Sequence, residues 1–392
     1  MSTTSGRAAS AAPNSTRLAS FALLCGNFVI GLSILAPAGM IADLAAGLSV
    51  TVTQAALLVT LGAIVLCIGS PLVAWVTNGF DRRRLLAGSL ALLALGHAGS
   101  ALAPGLGVLI LLRLVSMAAA AIFTPQAAST IAMMVPERQR PGAISFIFLG
   151  WSLSVAIGLP LVAWGASHFG WRSVYLALAF AAALSAVLVW LPLPSGLRAP
   201  AMSLASWGQL FRNRLVLLLL AATAISAAGQ FVIFTYLGPL LQTLASATAT
   251  EIAGLFAVFG VAGVVGNLLA SQFVARFGPY RTSLLFMGTM ALGALAFAAG
   301  AGFLPLMMAG AALWGLGFAS TNSMQQARLA GAVPALAGAA IALNSSAIYV
   351  GQAVGSFSGG VFFDAGRLVM MGYVAAAVLL VSFAIIASTR PR

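Results

Sequence analysis

Polar side chains interrupt several long apolar stretches of the sequence, where each must find a partner or face a wet cavity. Their amide, hydroxyl and guanidinium groups could bind a polar solute through hydrogen bonds. The sequence therefore predicts a path for a solute, with no catalytic residue. The residues predicted to line this path are Asn27, Arg113, Gln126, Gln230, Tyr236, Asn322 and Asn344. Three further polar residues in the same stretches are Gln325, Tyr349 and Gln352.

Arg113 is the sharpest of these signals, because an arginine inside a membrane span costs about 2.5 to 3.5 kcal/mol on insertion scales. It could face a cavity, or its long stem could snorkel to the nearby interface. For Asn27, Gln126 and Asn322, the alternative is a structural hydrogen bond between helices. His97 could carry a proton, or could be satisfied by an interhelical hydrogen bond.

The five acids, Asp43, Asp81, Glu137, Glu251 and Asp364, lie at the ends of apolar stretches or in loops. A buried carboxylate is the usual proton carrier of membrane transporters, and this chain has none in the middle of an apolar stretch. With no cluster of Cys or His ligands either, the sequence argues against an intramembrane metalloenzyme or aspartyl protease. It predicts a protein that is not an enzyme and that holds neither a metal nor a cofactor.

The composition is that of a membrane protein. Of 392 residues, 61% are hydrophobic and 6% are charged, whereas a soluble domain carries about a quarter charged residues. The formal net charge is +13 and every basic residue is arginine, but the arginines form short clusters between apolar runs, which argues against a nucleic-acid binder. Cys25 and Cys67 lie within apolar runs, as expected of packed side chains rather than a disulfide.

Apolar runs divide the chain into an all-α membrane protein with twelve transmembrane helices in two pseudo-symmetric six-helix halves, since a span needs about twenty residues. The predicted parts are a cytoplasmic tail (1–17), a first half (18–192), a cytoplasmic linker (193–214) and a second half (215–392). The predicted spans are 18–40, 54–76, 85–103, 109–133, 144–164, 174–191, 215–237, 252–275, 282–301, 304–323, 339–361 and 368–387. The first run could be a signal peptide, but its length favours an uncleaved span.

Arginine is distributed unevenly between the two sides of this topology. If the N-terminus is cytoplasmic, only Arg172 and Arg367 lie outside, Arg113 lies within a span, and all the other arginines lie on the cytoplasmic side. Cytoplasmic loops carry an excess of basic residues. The pattern therefore predicts a multi-pass protein of a bacterial inner membrane with both termini in the cytoplasm.

The two halves show traces of an internal repeat. An offset of 197 residues pairs Gly69 with Gly266, Phe80 with Phe277, Arg84 with Arg281 and Gly158 with Gly355. This favours two parallel repeats around a central cavity. In the eleventh span, glycines at four-residue spacing predict close helix packing, with a moving hinge as the alternative. They are Gly351, Gly355 and Gly359.

The loop after the second span, GSPLVAWVTNGFDRRRLL, resembles the cytoplasmic gating motif of the major facilitator superfamily, G-x-L-a-D-R-x-G-R-R. Asn78 stands at the Asp position of that motif, and Asp81 at its second Gly position. The counterpart in the second half, GNLLASQFVARFGPYR, has Ala275 at the Asp position. By this resemblance the gating residues are Asp81, Arg82, Arg83, Arg84, Arg276 and Gly278.

Further strings resemble the twelve-span drug:proton antiporter branch of the superfamily, near its arabinose-efflux and purine-nucleoside-exporter relatives, and the resemblance extends over essentially residues 18–388. Arg113 in LILLRLVS resembles the fourth-span arginine that is implicated in proton coupling, with Met117 where the branch has Gly. GWSLSVAIGLPLVAWGASHFGWR resembles the fifth-span motif, in which Gly150, Gly158 and Pro160 would serve helix packing. QFVIFTYLGPLL and SMQQARLAGAVPALAGAAIALNSSAIYVGQAVGS resemble spans seven and eleven.

The resemblance implies a secondary active transporter that exports a small organic solute, such as a drug, sugar or nucleoside, by alternating access. It also implies proton antiport, although these relatives often carry an acid in a T-E-F string of the first span, where this chain has Asn27. The alternatives are an uncoupled facilitator and a non-transporting membrane sensor with a degenerate facilitator fold. The expected partners are a small-molecule substrate, protons and the lipid bilayer, without nucleic acid, and the expected state is a monomer.

Overall fold

The computed structural model is helical throughout the part of the chain that it describes, with no strand there. The described residues are 13–77, 79–198 and 204–390. Most of the predicted tail, and Asn78 of the gating loop, lie outside them. Within these ranges, nine helical stretches are long and apolar enough, by length and composition, to cross a membrane.

The first half contains eight helices and six spans. They are α1 (Pro13–Gly39), α2 (Ile41–Leu48), α3 (Val52–Val76), α4 (Arg82–Ala101), α5 (Leu106–Met134), α6 (Arg140–Leu153), α7 (Leu159–Phe169) and α8 (Trp171–Trp190). A π-helical turn, Ser154–Gly158, joins α6 to α7 as one span, and Pro160 follows it in the first turn of α7. Such turns widen a helix locally and are frequent at functional sites.

The second half repeats this plan after the linker. Its helices are α9 (Leu204–Arg212), α10 (Arg214–Phe234), α11 (Leu237–Ala245), α12 (Ala249–Ala299), α13 (Leu304–Ala332), α14 (Ala337–Asp364) and α15 (Leu368–Ser388). The short helix α9 lies within the predicted linker. The more polar helices α4 and α14, with 20 and 28 residues, are also long enough to cross about 30 Å of hydrocarbon.

Helix α12 differs from the prediction, which placed a loop between two spans at 276–281. The chain stays helical through this region apart from Gly278, whose φ of 73° and ψ of 166° break the helix into two spans. Glycine adopts a positive φ without steric cost. The next residue, Pro279, suits the first turn of the following span because it needs no backbone donor there.

The same helix pairs pack in both halves. In the first half α1 packs on α6 and α4 packs on α8, and in the second half α10 packs on α14 and α12 packs on α15. These pairs join corresponding spans, so the architecture is that of two structural repeats. Between the halves, α3 packs along α14, and α7 packs on α12.

Glycines allow the closest of these contacts. A Cβ atom added at Gly351, Gly355 or Gly359 would lie 2.1, 2.2 or 2.6 Å from a carbonyl oxygen of α10. In the first half, a Cβ at Gly150 would lie 2.3 Å from a carbonyl oxygen of α1, and one at Gly158 would lie 2.8 Å from a leucine side chain of α1. Any larger residue at these positions would force the helices apart.

Candidate functional site

The two halves enclose a cavity of about 530 Å³, a size that suits a small molecule. Helices α1, α5 and α6 of the first half and α10, α12, α13 and α14 of the second half build its wall. The cavity therefore lies between the repeats, where the sequence predicts a substrate path.

The cavity extends towards the face of the bundle that carries the linker. Its wall there includes Ile144, close to the start of α6, Ala330, close to the end of α13, and Ile341, close to the start of α14. All three helix ends lie on the linker side. A solute on that side would meet the cavity first.

Hydrogen bonds join the halves at the opposite face. Thr53 Oγ1 donates to Asp364 Oδ1 at 2.5 Å, and Thr60 Oγ1 donates to Ser356 Oγ at 3.0 Å. These two bonds connect α3 with α14, and so does the bond that Ser346 Oγ donates to the Cys67 carbonyl at 3.1 Å, which lies nearer the linker side. We call Thr53, Thr60, Ser356 and Asp364 the outer latch.

No charged side chain lines the cavity within the described residues. The polar groups of the wall are amides and hydroxyls, together with the phenol of Tyr349. Such groups can donate to and accept from a neutral solute, but they offer no opposite charge to an ion.

Gln230, a predicted path residue, lies in the cavity wall on α10. Its Nε2 donates to Ser226 Oγ at 3.1 Å and to the Ser226 carbonyl at 3.2 Å. Its Oε1 has no hydrogen-bond partner, and neither has Oγ1 of Thr321, another wall residue. Both atoms have almost no accessible surface, although buried polar atoms are nearly always bonded, so a solute could bond to them only after the side chains turn towards the cavity.

Asn322 lies in the wall on α13, and Asn344 stands directly behind it on α14. Asn344 Nδ2 donates to Asn322 Oδ1 at 3.0 Å, and Asn344 Oδ1 accepts from Thr223 Oγ1 at 2.8 Å. Asn344 is fully buried, so it does not line the path as the sequence predicts. It links α10, α13 and α14 and orients the wall amide of Asn322.

Aromatic rings form part of the second-half wall. Phe231, Phe259 and Phe318 line the cavity. The rings of Phe259 and Phe318 are 5.1 Å apart in an edge-to-face arrangement, and Trp314 packs behind Phe259 at 5.0 Å. This rigid apolar surface can cover the apolar face of a bound solute.

Asn27 lies behind the wall instead of in it. Its Nδ2 donates to the Ile147 carbonyl at 3.1 Å, and its Oδ1 accepts from Thr124 Oγ1 at 2.9 Å. Thr124 itself lines the cavity, whereas Asn27 is fully buried. The structural alternative for Asn27, a hydrogen bond between helices, is what the structure contains.

Arg113 also lies away from the cavity, and its guanidinium does not reach the interface. It is 2% exposed and donates to three backbone carbonyls, those of Leu58 at 3.1 Å, Ser33 at 2.5 Å and Ile34 at 2.8 Å. The Ser33 carbonyl lacks its usual helical donor, because Pro37 has no N–H. Arg113 therefore does not line the path, which corrects the prediction. From its position on α5, its side chain connects α3 with the part of α1 near Pro37.

His97 belongs to the same enclosed cluster. Its Nε2 is hydrogen-bonded to Ser33 Oγ at 2.8 Å, and its ring packs 5.7 Å from that of Tyr175. His97 is 1% exposed and does not line the cavity. The interhelical hydrogen bond, one of the two sequence-based alternatives, is therefore present.

Gln126 lies on the linker side of the cavity, where it holds the gating loop. Its Oε1 accepts from Nη1 of Arg82, and its Nε2 donates to Thr77 Oγ1 at 3.0 Å. The guanidinium of Arg82 is therefore buried inside the first half. Gln126 joins two parts of one half, so its predicted path position is also corrected.

The remaining residues of the first gating loop point in different directions. Arg83 stacks over the Trp190 ring at 4.5 Å, while Arg84 is exposed. Asp81 caps α4 by accepting from the backbone N–H of Arg84 at 3.0 Å, and it also accepts from the backbone N–H of Gly196. Partial burial opposes ionisation, but these bonds and the Arg84 charge outweigh it and lower the pKa of Asp81.

The second gating loop holds its arginine differently. Arg276 is exposed, with its guanidinium 5.3 Å from the Phe277 ring, and Gly278 provides the break in α12. The buried arginine on this side is Arg328, which donates to Gln325 Oε1 at 3.3 Å and to Thr389 Oγ1 at 2.5 Å. Whereas the Arg82 and Gln126 pair joins α4 to α5, Arg328 and Gln325 lie three residues apart on α13, and it is the bond to Thr389 that links Arg328 to the end of α15.

Tyr236 lies next to the outer latch and not in the cavity wall. Its hydroxyl donates to the Ser356 carbonyl at 3.0 Å, and its ring stacks on Phe363 at 5.2 Å. A Cβ added at Gly360 would lie 2.7 Å from the Tyr236 hydroxyl and 2.8 Å from Cγ2 of Thr53. Tyr236 therefore packs where the halves meet, which corrects its predicted path position.

Several wall residues were not among the predicted path residues. Gln325, Tyr349 and Gln352 carry a signal in the sequence, because they are polar and lie within spans. Thr321 and Asn267 are harder to recognise as wall residues from the sequence. Threonine is common in apolar helices, and Asn267 lies in the half of the eighth span that precedes the loop. Asn267 Oδ1 accepts from Ser323 Oγ at 2.9 Å and so connects α12 with α13.

Comparison with known proteins gives matches over the whole described bundle. A family model described as Major Facilitator Superfamily matches residues 23–299 and 219–392. The inner membrane transport protein YdhP of Escherichia coli (strain K12) is 27% identical over 350 residues, which cover 88% of each protein. A probable sugar efflux transporter of Pasteurella multocida (strain Pm70) is 28% identical over 343 residues, covering 88% of this chain and 84% of that protein.

The fold is similar to that in the crystal structure of a D-xylose-proton symporter. The TM-score is 0.77 with 15% sequence identity, and the match covers 96% of this chain and 98% of the other. At this identity the likeness concerns the fold alone. It confirms the predicted fold class.

Proposed function

The chain belongs to the major facilitator superfamily, as its motifs predict, and on this basis we propose that it exports a neutral small organic solute through the central cavity by alternating access. Efflux agrees with the name of the Pasteurella multocida relative, a probable sugar efflux transporter. Because one chain encloses the whole cavity, we propose a monomer as the functional unit.

The observation that carries the proposal is the uncharged wall of the cavity. Gln230 and Thr321 lie in this wall with one polar atom each that has no hydrogen-bond partner and that a rotation of the side chain would turn towards a solute. The rings of Phe231, Phe259 and Phe318 provide an apolar surface in the same wall. A sugar, a nucleoside or an uncharged drug presents both kinds of surface. A cation or anion would lose its hydration in this cavity without gaining an opposite charge.

Alternating access is supported by the unequal faces of the bundle. The cavity extends to the linker side, and the outer latch joins the halves at the other side. Transport then requires the latch to open while the linker side closes by rocking of the halves. Arg82, at the start of α4, and Arg328, near the end of α13, lie on the side where such closure would occur.

The arginine distribution orients this cycle in the membrane. With the linker and both termini in the cytoplasm of a bacterial inner membrane, the observed cavity faces the cytoplasm. A solute for export would enter it directly. The name of YdhP, an inner membrane transport protein, agrees with this location.

Uptake into everted vesicles tests the proposal. Vesicles with wild-type protein should accumulate at least one member of a panel of neutral sugars, nucleosides and uncharged drugs, and Gln230→Leu or Thr321→Val should weaken that uptake. Thr289→Val, a half-buried threonine outside the cavity, is the control. If only charged compounds were taken up, the proposal of a neutral substrate would be contradicted. If no solute were taken up, the result would favour a membrane sensor that does not transport.

Facilitated diffusion is a second candidate, favoured by a specific observation. None of the five acids lines the cavity, and Arg113 and His97 are enclosed away from it. A pH indicator inside energised everted vesicles distinguishes the two: proton release that depends on the solute supports antiport, whereas solute movement without it supports facilitation.

A further inference from the structure

A groove on the outside of the first half combines an apolar floor with a basic end. Its wall includes Phe80, Arg84, Leu85, Gly88, Leu92 and Arg198. The groove begins at the gating loop on the linker side and follows α4 towards the middle of the span. No residue of the central cavity takes part in it.

The floor of the groove is a strip of α4. Leu85, Gly88 and Leu92 are spaced three and four residues apart, so they share one helix face. Between Asp81 and Leu92 the helix rises by about 16 Å. Leu92 is 41% exposed, and a Cβ added at Gly88 would meet no atom within 4 Å. An open apolar slot therefore remains on the lipid-facing surface.

The basic end is held in place by the linker. The backbone N–H of Arg82 donates to the Leu197 carbonyl at 2.9 Å, and the backbone N–H of Gly196 donates to Asp81. These bonds keep Arg198 beside the start of α4, where exposed Arg84 also lies. The carboxylate of Asp81 also lines the groove, where it accepts from backbone N–H groups. With two arginines and one aspartate, the mouth of the groove keeps an excess of positive charge.

We propose that this groove binds an anionic glycerophospholipid from the leaflet on the linker side. Its phosphate lies between Arg84 and Arg198, and one acyl chain lies along Leu85, Gly88 and Leu92. Arginine binds phosphate oxygens through paired N–H donors, and basic pockets at the cytoplasmic ends of membrane helices suit anionic headgroups. The apolar floor continues from the basic end, which a free phosphate would not require.

Native mass spectrometry of the full-length protein tests this site, with phosphatidylglycerol and phosphatidylcholine of identical acyl chains. The wild type should retain phosphatidylglycerol over phosphatidylcholine, and Arg84→Gln with Arg198→Gln should weaken its binding by about tenfold or more. Gly88→Leu places a side chain in the slot at a position where a Cβ meets no protein atom within 4 Å, and it should also weaken binding although both arginines remain. Matched controls are Arg367→Gln, on the opposite face, and Gly254→Leu, another open glycine.

Equal retention of the two lipids by the wild type would overturn the proposal. Unchanged phosphatidylglycerol binding in the double arginine variant or in Gly88→Leu would do the same, once thermal unfolding shows that the variant is folded. Displacement of the lipid by inorganic phosphate at equal concentration would assign the arginines to a free anion and also overturn it. The outcome does not depend on which solute the central cavity carries.

Discussion

The two halves place corresponding helices in the same positions but stabilise them by opposite chemistry. Helices α5 and α13 have 29 residues each. In α5 the largest buried side chain is Arg113, which binds three carbonyls, whereas in α13 it is Trp314, which packs among Phe234, Phe259 and other aromatic rings. One core is held by directional hydrogen bonds and the other by packing.

The difference teaches that a charge inside the membrane does not by itself mark the substrate site. The first-half cluster of Arg113, His97 and Ser33 is closed, and it secures the kink at Pro37. The aromatic core of the second half reaches the cavity through Phe259 and Phe318, beside Gln230 and Asn322. The second half therefore supplies most of the cavity wall, whereas the buried polar cluster of the first half lies away from the cavity.

Replacing Arg113 is expected to have the largest effect. In Arg113→Leu, three buried carbonyls lose their donor, and an unpaired buried acceptor costs about 1 to 3 kcal/mol. The folded yield should fall sharply and thermal unfolding in detergent should begin well below the wild-type temperature. Arg113→Lys should recover only part of the loss, because one ammonium cannot match the guanidinium geometry. A wild-type melting temperature in Arg113→Leu would contradict the structural role.

The matching change in the second half should be much milder. Trp314→Phe keeps an aromatic ring, and the indole Nε1 has no hydrogen-bond partner to lose. We expect a cost of about 1.5 kcal/mol or less, as for other swaps that nearly conserve shape. The same unfolding measurement, run beside Arg113→Lys, compares the cores directly. A larger loss in Trp314→Phe than in Arg113→Lys would reverse the comparison.

A pair of amide variants separates recognition from rigidity. Gln230→Leu in the second half should raise the KM for the transported solute by about fivefold to tenfold, the worth of one hydrogen bond, with little change in thermal stability. Asn27→Leu in the first half should lower the melting temperature, because the Ile147 carbonyl and Thr124 lose a partner. Concentration-dependent uptake and unfolding scans measure the two effects. If both variants changed the KM and the melting temperature to the same extent, the separate roles proposed for Gln230 and Asn27 would be contradicted.

The smallest expected effect concerns the gating loops. The 197-residue offset pairs Asp81 in the first loop with Gly278 in the second, so only the first contains a titratable cap. The pKa of Asp81 is lowered in the folded protein, and its contribution to stability is therefore present above about pH 3.9 and lost as the pH falls through the lowered value. Asp81→Asn should reduce thermal stability slightly at neutral pH, and this difference should disappear in acid. If the difference in thermal stability between the wild type and Asp81→Asn grew in acid, the stabilising role of ionised Asp81 as a helix cap would be contradicted.

The sequence predicts the spans well, because the bilayer demands about twenty apolar residues for each one. It predicts less well which way a side chain points. Successive residues turn by about 100° around a helix, so Asn27 and Arg113 face neighbouring helices although they lie in cavity-forming spans. That direction depends on how each helix is rotated and tilted in the bundle, which hydropathy does not record.

The gating loops illustrate the same limit. The string Arg82, Arg83 and Arg84 appears in the sequence as one basic cluster, yet the structure sends its members to Gln126, to the Trp190 ring and to the outer surface. In the second half the buried arginine on this side is Arg328, which lies within α13 and not in the loop region that corresponds to Arg82. Arg82 and Arg328 are both buried on the linker side of the bundle through the fold, and their positions in the sequence do not indicate this.

The most direct test of alternating access is to lock the outer latch. In a background in which Cys25 and Cys67 are replaced by serine, Thr53→Cys and Asp364→Cys place two thiols where a 2.5 Å hydrogen bond joins the halves. Solute uptake by everted vesicles should stop on oxidation and return on reduction, while each single-cysteine variant stays active. Full uptake with the crosslink formed would show that the halves need not separate at this face, and it would contradict the proposed cycle.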